Sequence, residues 1–121
     1  MKPLPFLLCL MSLFGCKAAD FRSVDADTFV QIIEDTTVVR LDVRTANEYA
    51  QGHIPNALLI DVTQADFMQK AEQLLPKDKT IALYCRSGRR SKNAAMQLAK
   101  HGYQVVELNT GFNSWKGEVE R

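Results

Sequence analysis

The 121-residue chain has few metal-binding and redox-pairing residues, with two histidines and three cysteines. Cys9, Cys16 and Cys85 do not fall at the short spacings of zinc sites, so we expect no structural metal. Neither sign of charge dominates, since 15 Lys and Arg face 14 Asp and Glu. A surface this close to neutral lacks the broad positive footprint of duplex nucleic-acid binding, and we expect no nucleic-acid partner.

Internal repeats and low-complexity tracts are also missing, and a chain of this length predicts one domain. The one extended apolar run, Leu4 to Gly15, follows Lys2 and has twelve residues. It is too short to span a bilayer, which takes about 20 residues, but it is typical of the apolar region of a secretory signal.

The end of this run, Leu13-Phe-Gly-Cys16, resembles a bacterial lipobox, in which the cysteine is lipidated and becomes the mature N-terminus. We predict a lipoprotein-type signal peptide over residues 1–15, lipidation at Cys16, a tether over 16–22 and a folded domain over 23–121. By resemblance to enterobacterial sorting, Lys17 favours anchorage to the outer membrane, on the periplasmic side of the cell envelope. The alternative is a soluble periplasmic protein cleaved after Ala18 or Ala19.

Either cleavage removes Cys9 and leaves Cys85 as the single free thiol. The periplasm is oxidising, and small exported domains normally pair their cysteines. An unpaired Cys85 therefore indicates a functional sulfur.

Apolar periodicity along the domain predicts alternating strands and helices. Helices are predicted over 26–34 and over 91–101. Two more are predicted between them, one from a capping box at Thr45–Glu48 to Gly52 and one from a cap at 63–66 to Pro76. Apolar runs near 38–43, 58–60, 81–84 and 105–108 predict strands. Because these runs do not alternate with polar residues, they indicate an α/β fold with a parallel sheet covered on both faces. Ligands bind at the carboxyl ends of such strands, so we expect function in the loops after Asp42 and Tyr84.

The segment after Tyr84 carries the chemistry. Cys85 is followed by Gly88 and three arginines before a helix predicted from Ser91. Such a loop can curl so that its N–H groups converge near the sulfur, and the helix N-terminus and arginines add positive charge. A free thiol titrates near ~8.5, and such surroundings lower the pKa to roughly 3.5–7.5. Cys85 is therefore predicted to be an accessible thiol that ionises without a histidine base. The alternatives are a cysteine that only fills space, and arginines that contact nucleic acid or anionic lipid.

Several motifs in order resemble a single-domain rhodanese, the thiosulfate sulfurtransferase family, over about residues 20–119. They are Leu41-Asp-Val-Arg44, Glu48-Tyr49, Gly52-His-Ile-Pro55 with Ala57, Tyr84-Cys-Arg-Ser-Gly-Arg-Arg-Ser91 and Gly111-Phe-Asn-Ser-Trp115. One departure is Thr110-Gly111, where the family commonly has paired glycines.

The resemblance implies a rhodanese-like parallel sheet of about five strands with helices on both faces, and no cofactor. It implies that the Cys85 thiolate takes the outer sulfur of thiosulfate or another sulfane donor, releases sulfite, and carries a persulfide until a thiol or cyanide acceptor removes it. Arg90 would hold the sulfonate end of the donor, with Arg86 and Arg89 in support. The predicted substrate-binding set is Arg86, Ser87, Gly88, Arg89, Arg90 and Ser91, braced by ion pairing among Asp42, Arg44 and Glu48.

Two alternatives use a similar loop. Dual-specificity phosphatases and their arsenate-reducing relatives need Cys-x5-Arg, whereas Cys85 to Arg90 is Cys-x4-Arg, a tighter ring that suits one sulfur atom better than phosphate. A tethered persulfide carrier, loaded and unloaded by docking to an unidentified protein, would have the same loop. His53 is predicted to be a turn residue and Trp115 a core residue.

Overall fold

A computed structural model describes residues 20–121 of the chain. The strands are β1 (Arg22–Val24), β2 (Val39–Asp42), β3 (Leu58–Leu59), β4 (Ile81–Tyr84) and β5 (Val105–Leu108). The helices are α1 (Ala26–Ile33), α2 (Ala46–Gln51), α3 (Phe67–Leu74) and α4 (Arg89–Lys100), and a 3-10 turn covers Phe112–Ser114. The predicted signal peptide, the lipidation site Cys16 and the tether as far as residue 19 lie outside the described residues.

The five strands form one sheet in the order β1-β5-β4-β2-β3, and every pair is parallel. The central strand β4 is buried at all four positions. This arrangement confirms the predicted α/β class with a five-stranded parallel sheet.

Helices cover both faces of this sheet. Leu83 points into a core that it shares with Phe67 of α3 and Leu98 of α4. Tyr84 points the other way, into a second core that includes Phe29 of α1. Strands buried on both sides need apolar side chains at successive positions, which is why their sequences do not alternate.

Strand β1 is not predicted by the apolar pattern. It has three residues, two of them exposed, and it starts at Arg22, the last residue of the predicted tether. Arg22 pairs with Val106, so this segment forms an edge of the sheet. Partnership with β5, rather than local periodicity, makes it a strand.

Of two helix caps predicted from the sequence, one forms in the structure and the other does not. Thr45 and Glu48 form the predicted capping box at α2, with each side chain accepting from the other residue's backbone N–H. By contrast, Asp66 makes no capping bond at α3, and Thr63 donates to Asp61 instead. No helix within residues 20–121 combines the length and hydropathy needed to cross a bilayer.

Candidate active site

The carboxyl ends of β2, β4 and β5 meet at one edge of the sheet, where Asp42 lies beside Tyr84 in register. Cys85 follows β4 directly, and the segment after β5 packs against it. The Phe112 N–H donates to the Cys85 carbonyl at 2.8 Å, and the Asn113 N–H donates to the Arg86 carbonyl at 3.0 Å. The loop that starts at Cys85 is therefore held from outside by a second loop.

Gly88 ends this loop earlier than the sequence predicts. Its φ of 101° is left-handed, and a Cβ there would overlap the Asn109 carbonyl. Helix α4 begins at Arg89, so the prediction of a helix from Ser91 is wrong by two residues. Arg89 and Arg90 lie in the first turn of α4 rather than in the loop, which brings the helix N-terminus closer to Cys85.

Hydrogen-bond donors converge on the sulfur of Cys85. The Gly88 N–H donates to Cys85 Sγ at 3.1 Å. Burial raises the pKa of the Cys85 thiol, but the Ser91 hydroxyl and the N–H groups of Ser91, Gly88 and Ser87 lower it, and the net pKa lies below its ordinary value. The shift has the direction that the sequence predicts, and its causes include no histidine.

The sulfur is nevertheless covered, because Cys85 is 1% exposed. This differs from the accessible thiol expected from the sequence. The next two side chains, Arg86 and Ser87, are exposed. A cavity of about 260 Å³ lies beside the loop, lined by Arg44, Glu48, Gln51, Gly52, Arg86, Phe112 and Asn113. Cys85 itself does not line this cavity, although its neighbour Arg86 does.

Asp42 and Arg44 form a buried ion pair that supports this cavity. Arg44 Nη2 donates to Asp42 Oδ2 at 2.7 Å and to the Gly52 carbonyl at 2.7 Å, while its Nε also bonds the carboxylate. The guanidinium lies 4.4 Å from the centre of the Phe112 ring. Arg44 thus connects β2, α2 and the loop that holds Cys85.

Glu48 makes no hydrogen bond to this pair, although its charge acts on Arg44, so the brace that the resemblance implies consists of two hydrogen-bonded pairs. Its carboxylate is held by Arg90, with Nη1 and Nη2 donating at 2.8 and 2.9 Å. This contact is the main reason that the pKa of Glu48 falls from 4.5 to about 2. The two pairs are separate because Arg90 sits on the first turn of α4, where it faces α2.

Gly111 is the glycine that the second loop requires. Its backbone, at φ 68° and ψ −170°, is in a region essentially restricted to glycine, and a Cβ would overlap the Arg86 backbone. Thr110, which replaces the other expected glycine, is accommodated by a hydrogen bond between its hydroxyl and that of Ser114. The departure from the family pattern leaves the contact with the Cys85 loop intact.

Sequence reasoning missed Glu107 and Lys92. Glu107 is fully buried on β5 and accepts hydrogen bonds from Ser91, Ser23 and Lys92. A glutamate inside a four-residue apolar strand is the signal that could have revealed it, since carboxylates are almost never fully buried without partners.

His53 and Trp115, to which the sequence analysis also gave positions, make packing contacts. His53 is buried, stacks on Tyr49 with ring centres 3.6 Å apart, and its Nδ1 contacts the Tyr49 carbonyl at 2.8 Å. Trp115 is half-buried against the core that contains Phe29. Within residues 20–121, His, Cys, Asp and Glu side chains form no group of three suited to a metal ion.

Comparison with known proteins shows which proteins the chain is similar to. The model of the rhodanese-like domain matches residues 25–118. A sulfurtransferase of Allochromatium vinosum is 36% identical over 78% of this chain and 87% of its own length. The thiosulfate sulfurtransferase GlpE of Coxiella burnetii is 30% identical over 71% of this chain and 78% of its own. The crystal structure of a rhodanese-related protein from Thermoplasma volcanium has a TM-score of 0.72 at 28% identity, covering 83% of this chain and 98% of that one. These similarities support sulfur transfer as the general activity.

Proposed function

The chain belongs to the rhodanese-like domain family, and we propose that it transfers a sulfane sulfur from thiosulfate or a persulfide donor, through a Cys85 persulfide, to a thiol or cyanide acceptor. The observation that carries this proposal is the convergence of N–H donors on the Cys85 sulfur, which favours its thiolate. A thiolate is the nucleophile that attack on a sulfane sulfur requires.

In the first half-reaction, the Cys85 thiolate attacks the outer sulfur of thiosulfate. A bond forms between the two sulfurs, the bond from the outer sulfur to the sulfonate breaks, and its electron pair leaves on sulfite. Cys85 then carries a persulfide anion. Backbone N–H groups held in place by Gly88 and by the start of α4 favour negative charge at this sulfur.

In the second half-reaction, a thiolate or cyanide attacks the terminal sulfur of the persulfide. The sulfur–sulfur bond to Cys85 breaks, and its electron pair returns to Cys85 as a thiolate. The products are an acceptor persulfide or thiocyanate, and the enzyme is restored. No cofactor enters either step.

A guanidinium group is the proposed binding partner of the donor anion, and the geometry favours Arg86 over Arg90 as the residue that binds the sulfonate. The Arg90 guanidinium already gives two hydrogen bonds to Glu48. Arg86 lines the cavity and, within the described part of the chain, makes no ion pair. Arg90, Arg89, Ser87 and Ser91 complete the proposed substrate-binding set around Gly88.

The burial of Cys85 favours a second candidate, a persulfide carrier that a partner protein opens and loads. The two candidates differ in turnover. An enzyme releases sulfite and transfers sulfur repeatedly with small thiols, whereas a carrier holds a stable persulfide without turnover.

The test is incubation of residues 20–121 with thiosulfate, followed by intact mass and sulfite measurement. Wild type should gain one sulfur atom and release sulfite, while Cys85→Ser should do neither. Arg86→Ala should raise the KM for thiosulfate more than Arg89→Ala, the matched exposed arginine. Full transfer by Cys85→Ser would refute the mechanism, and hydrolysis of a phosphate ester in its place would favour the phosphatase alternative.

We also propose that residues 1–15 direct export and that a lipid on Cys16 anchors the domain on the periplasmic side of the cell envelope, in the outer membrane. The lipobox-like sequence is the support for this proposal. Full-length wild type and Cys16→Ser should be compared in a bacterial host fed labelled palmitate. Label and membrane fractionation lost in Cys16→Ser would support the anchor, whereas unlabelled, soluble wild type would favour the periplasmic alternative.

A further inference from the structure

Lys92 is a charged residue that the two half-reactions leave unused. It lies near the start of α4, and three acceptors surround its Nζ: the carbonyls of Gly88 and Asn109 at 3.1 and 3.4 Å, and Oε2 of Glu107 at 3.2 Å. An ammonium group has three donors, so these acceptors take all of them. The Lys92 side chain therefore joins the end of the Cys85 loop to β5 and to the loop that follows β5.

Glu107 determines where this ammonium group lies. Its side chain is fully buried on β5, and Lys92 is its ion-pair partner within residues 20–121. The hydroxyls of Ser23 and Ser91 donate to the same carboxylate at 2.6 and 2.5 Å, which fixes its orientation. A buried carboxylate that loses its counter-charge is strongly destabilising. The carboxylate therefore holds the ammonium in place, although the Lys92 side chain is 48% exposed.

Gly88 is the residue whose freedom this ammonium group limits. The Gly88 N–H donates to Cys85 Sγ at 3.1 Å, so its direction bears on the charge of the sulfur. Glycine has the widest choice of backbone angles, and a side chain at this position cannot restrict them, because a Cβ would overlap the Asn109 carbonyl. The restraint has to come from outside, and Lys92 Nζ supplies it at the Gly88 carbonyl.

We propose that Lys92, anchored by the buried carboxylate of Glu107, is a positioning residue of the sulfur-transfer site, and that it holds Gly88 with its N–H directed at the Cys85 sulfur. The role in catalysis rests on the proposed function, whereas the effect on the thiolate does not. Two hydrogen bonds carry the connection, from Lys92 Nζ to the Gly88 carbonyl and from the Gly88 N–H to Sγ.

The test is the pH dependence of Cys85 alkylation by iodoacetamide in residues 20–121, which contain the whole sheet, both cores and a single cysteine. Lys92→Met removes the ammonium group but keeps an unbranched side chain. Since a hydrogen bond to the thiolate is weakened, the midpoint should rise by about one pH unit. Alkylation well below the wild-type midpoint should slow about threefold, because the lower thiolate fraction is partly offset by a more nucleophilic sulfur.

Lys100→Met is the matched control. Lys100 is exposed at the other end of α4, so its removal deletes the same charge from the same helix without touching Gly88. The alkylation midpoint of this variant should equal that of wild type.

A double variant keeps the test decisive if Lys92→Met does not fold. That variant leaves Glu107 buried without its counter-charge, whereas Lys92→Met combined with Glu107→Gln removes both charges. The double variant should still show the raised midpoint, because the Gly88 carbonyl still lacks its donor. A midpoint equal to that of wild type in the folded variant would overturn the inference.

Other charged groups near the sulfur stay in place in these variants. Arg90, also on α4, interacts electrostatically with the Cys85 thiolate and pairs with Glu48. Arg86, the residue next to Cys85, is exposed. From β1, the group that faces the Glu107 carboxylate is the neutral hydroxyl of Ser23.

Salt concentration separates positioning from a direct effect of the Lys92 charge on the sulfur. A direct charge effect is screened, so the midpoint shift would disappear between about 0.05 M and about 0.5 M salt, whereas a misdirected N–H leaves the shift unchanged. A shift that disappears in high salt would therefore also overturn the inference.

Persulfide formation from thiosulfate is measured on the same samples. It should be slower in Lys92→Met than in Lys100→Met. A wild type that forms no persulfide, together with the expected midpoint shifts, would refute the proposed function and leave the positioning of Gly88 by Lys92 standing.

Discussion

Replacing Glu48 with glutamine should destabilise the domain in a pH-dependent way, because it removes the charge that holds Arg90. The substitution keeps the size of the side chain and one of its acceptor oxygens. What it deletes is the carboxylate that receives two hydrogen bonds from the guanidinium, at 2.8 and 2.9 Å. The pair joins α2 to the first turn of α4, next to the Cys85 loop.

The pKa of Glu48 sets the size of the effect. The interval between 4.5 and about 2 corresponds to about 3 kcal/mol of preference for the ionised form. The Arg90 and Glu48 side chains are 28% and 22% exposed, so solvent screens part of this preference. We therefore expect Glu48→Gln to lower the free energy of unfolding by about 1–2 kcal/mol at pH 7.

The same pKa predicts how the loss changes with acidity. Since the folded-state pKa is lowered, the carboxylate contributes fully above about pH 4.5 and stops contributing as the pH falls through about 2. At pH 3 roughly two fifths of the contribution should remain. The difference between variant and wild type should shrink accordingly.

Urea denaturation at pH 7 and pH 3, followed by far-UV circular dichroism, measures both values. Glu34→Gln provides the control, because Glu34 is an exposed glutamate at the C-cap of α1. It should change the free energy of unfolding little at either pH. An equal loss for Glu48→Gln at pH 7 and pH 3 would show that shape or packing, rather than the ion pair with Arg90, explains the effect.

Three further outcomes are expected. Gly111→Ala should slow persulfide formation and destabilise the fold by about 1–3 kcal/mol, because it strains the backbone and overlaps Arg86. Gly102 is also left-handed but has open space around its Cβ, so Gly102→Ala should leave the rate of persulfide formation unchanged. Equal rates for the two variants would contradict this reasoning. Asp42→Asn should lower the free energy of unfolding by about 3–5 kcal/mol in urea titrations, since it leaves the Arg44 guanidinium buried without its counter-charge; a loss below 1 kcal/mol would argue against that pairing. Leu98→Ala should lower the melting temperature and reduce the free energy of unfolding by about 2–5 kcal/mol, because it opens a cavity in the core. The pH midpoint for alkylation of Cys85 by iodoacetamide should stay unchanged.

Much of the fold could be predicted because its signals are local. The run Ile81–Tyr84 is apolar at every position, and the capping box of Thr45 and Glu48 spans one helical turn. Such patterns depend on neighbours in the chain, and they are enough to give the α/β class. They fail at β1, whose three residues form a strand because Val106 and its neighbours offer them partners.

The candidate site divides in the same way. The sequence alone identified Cys85 and its glycine and arginine loop, since those residues are contiguous, and it predicted the direction in which the thiol pKa moves. It could not show that Arg90 pairs with Glu48 across 42 residues, or that Phe112 and Asn113 hold the loop from outside.

Tertiary structure alone decided the burial of Cys85 and the contact between Ser91 and Glu107. The physical reason is that hydrogen bonds and ion pairs need atoms within about 3 Å, and side chains far apart in the chain come that close only when packing sets the spacing of strands and helices. Local periodicity tells which face of an element is apolar. The partner of a charged residue on that element is decided only by the neighbouring element that packs against it.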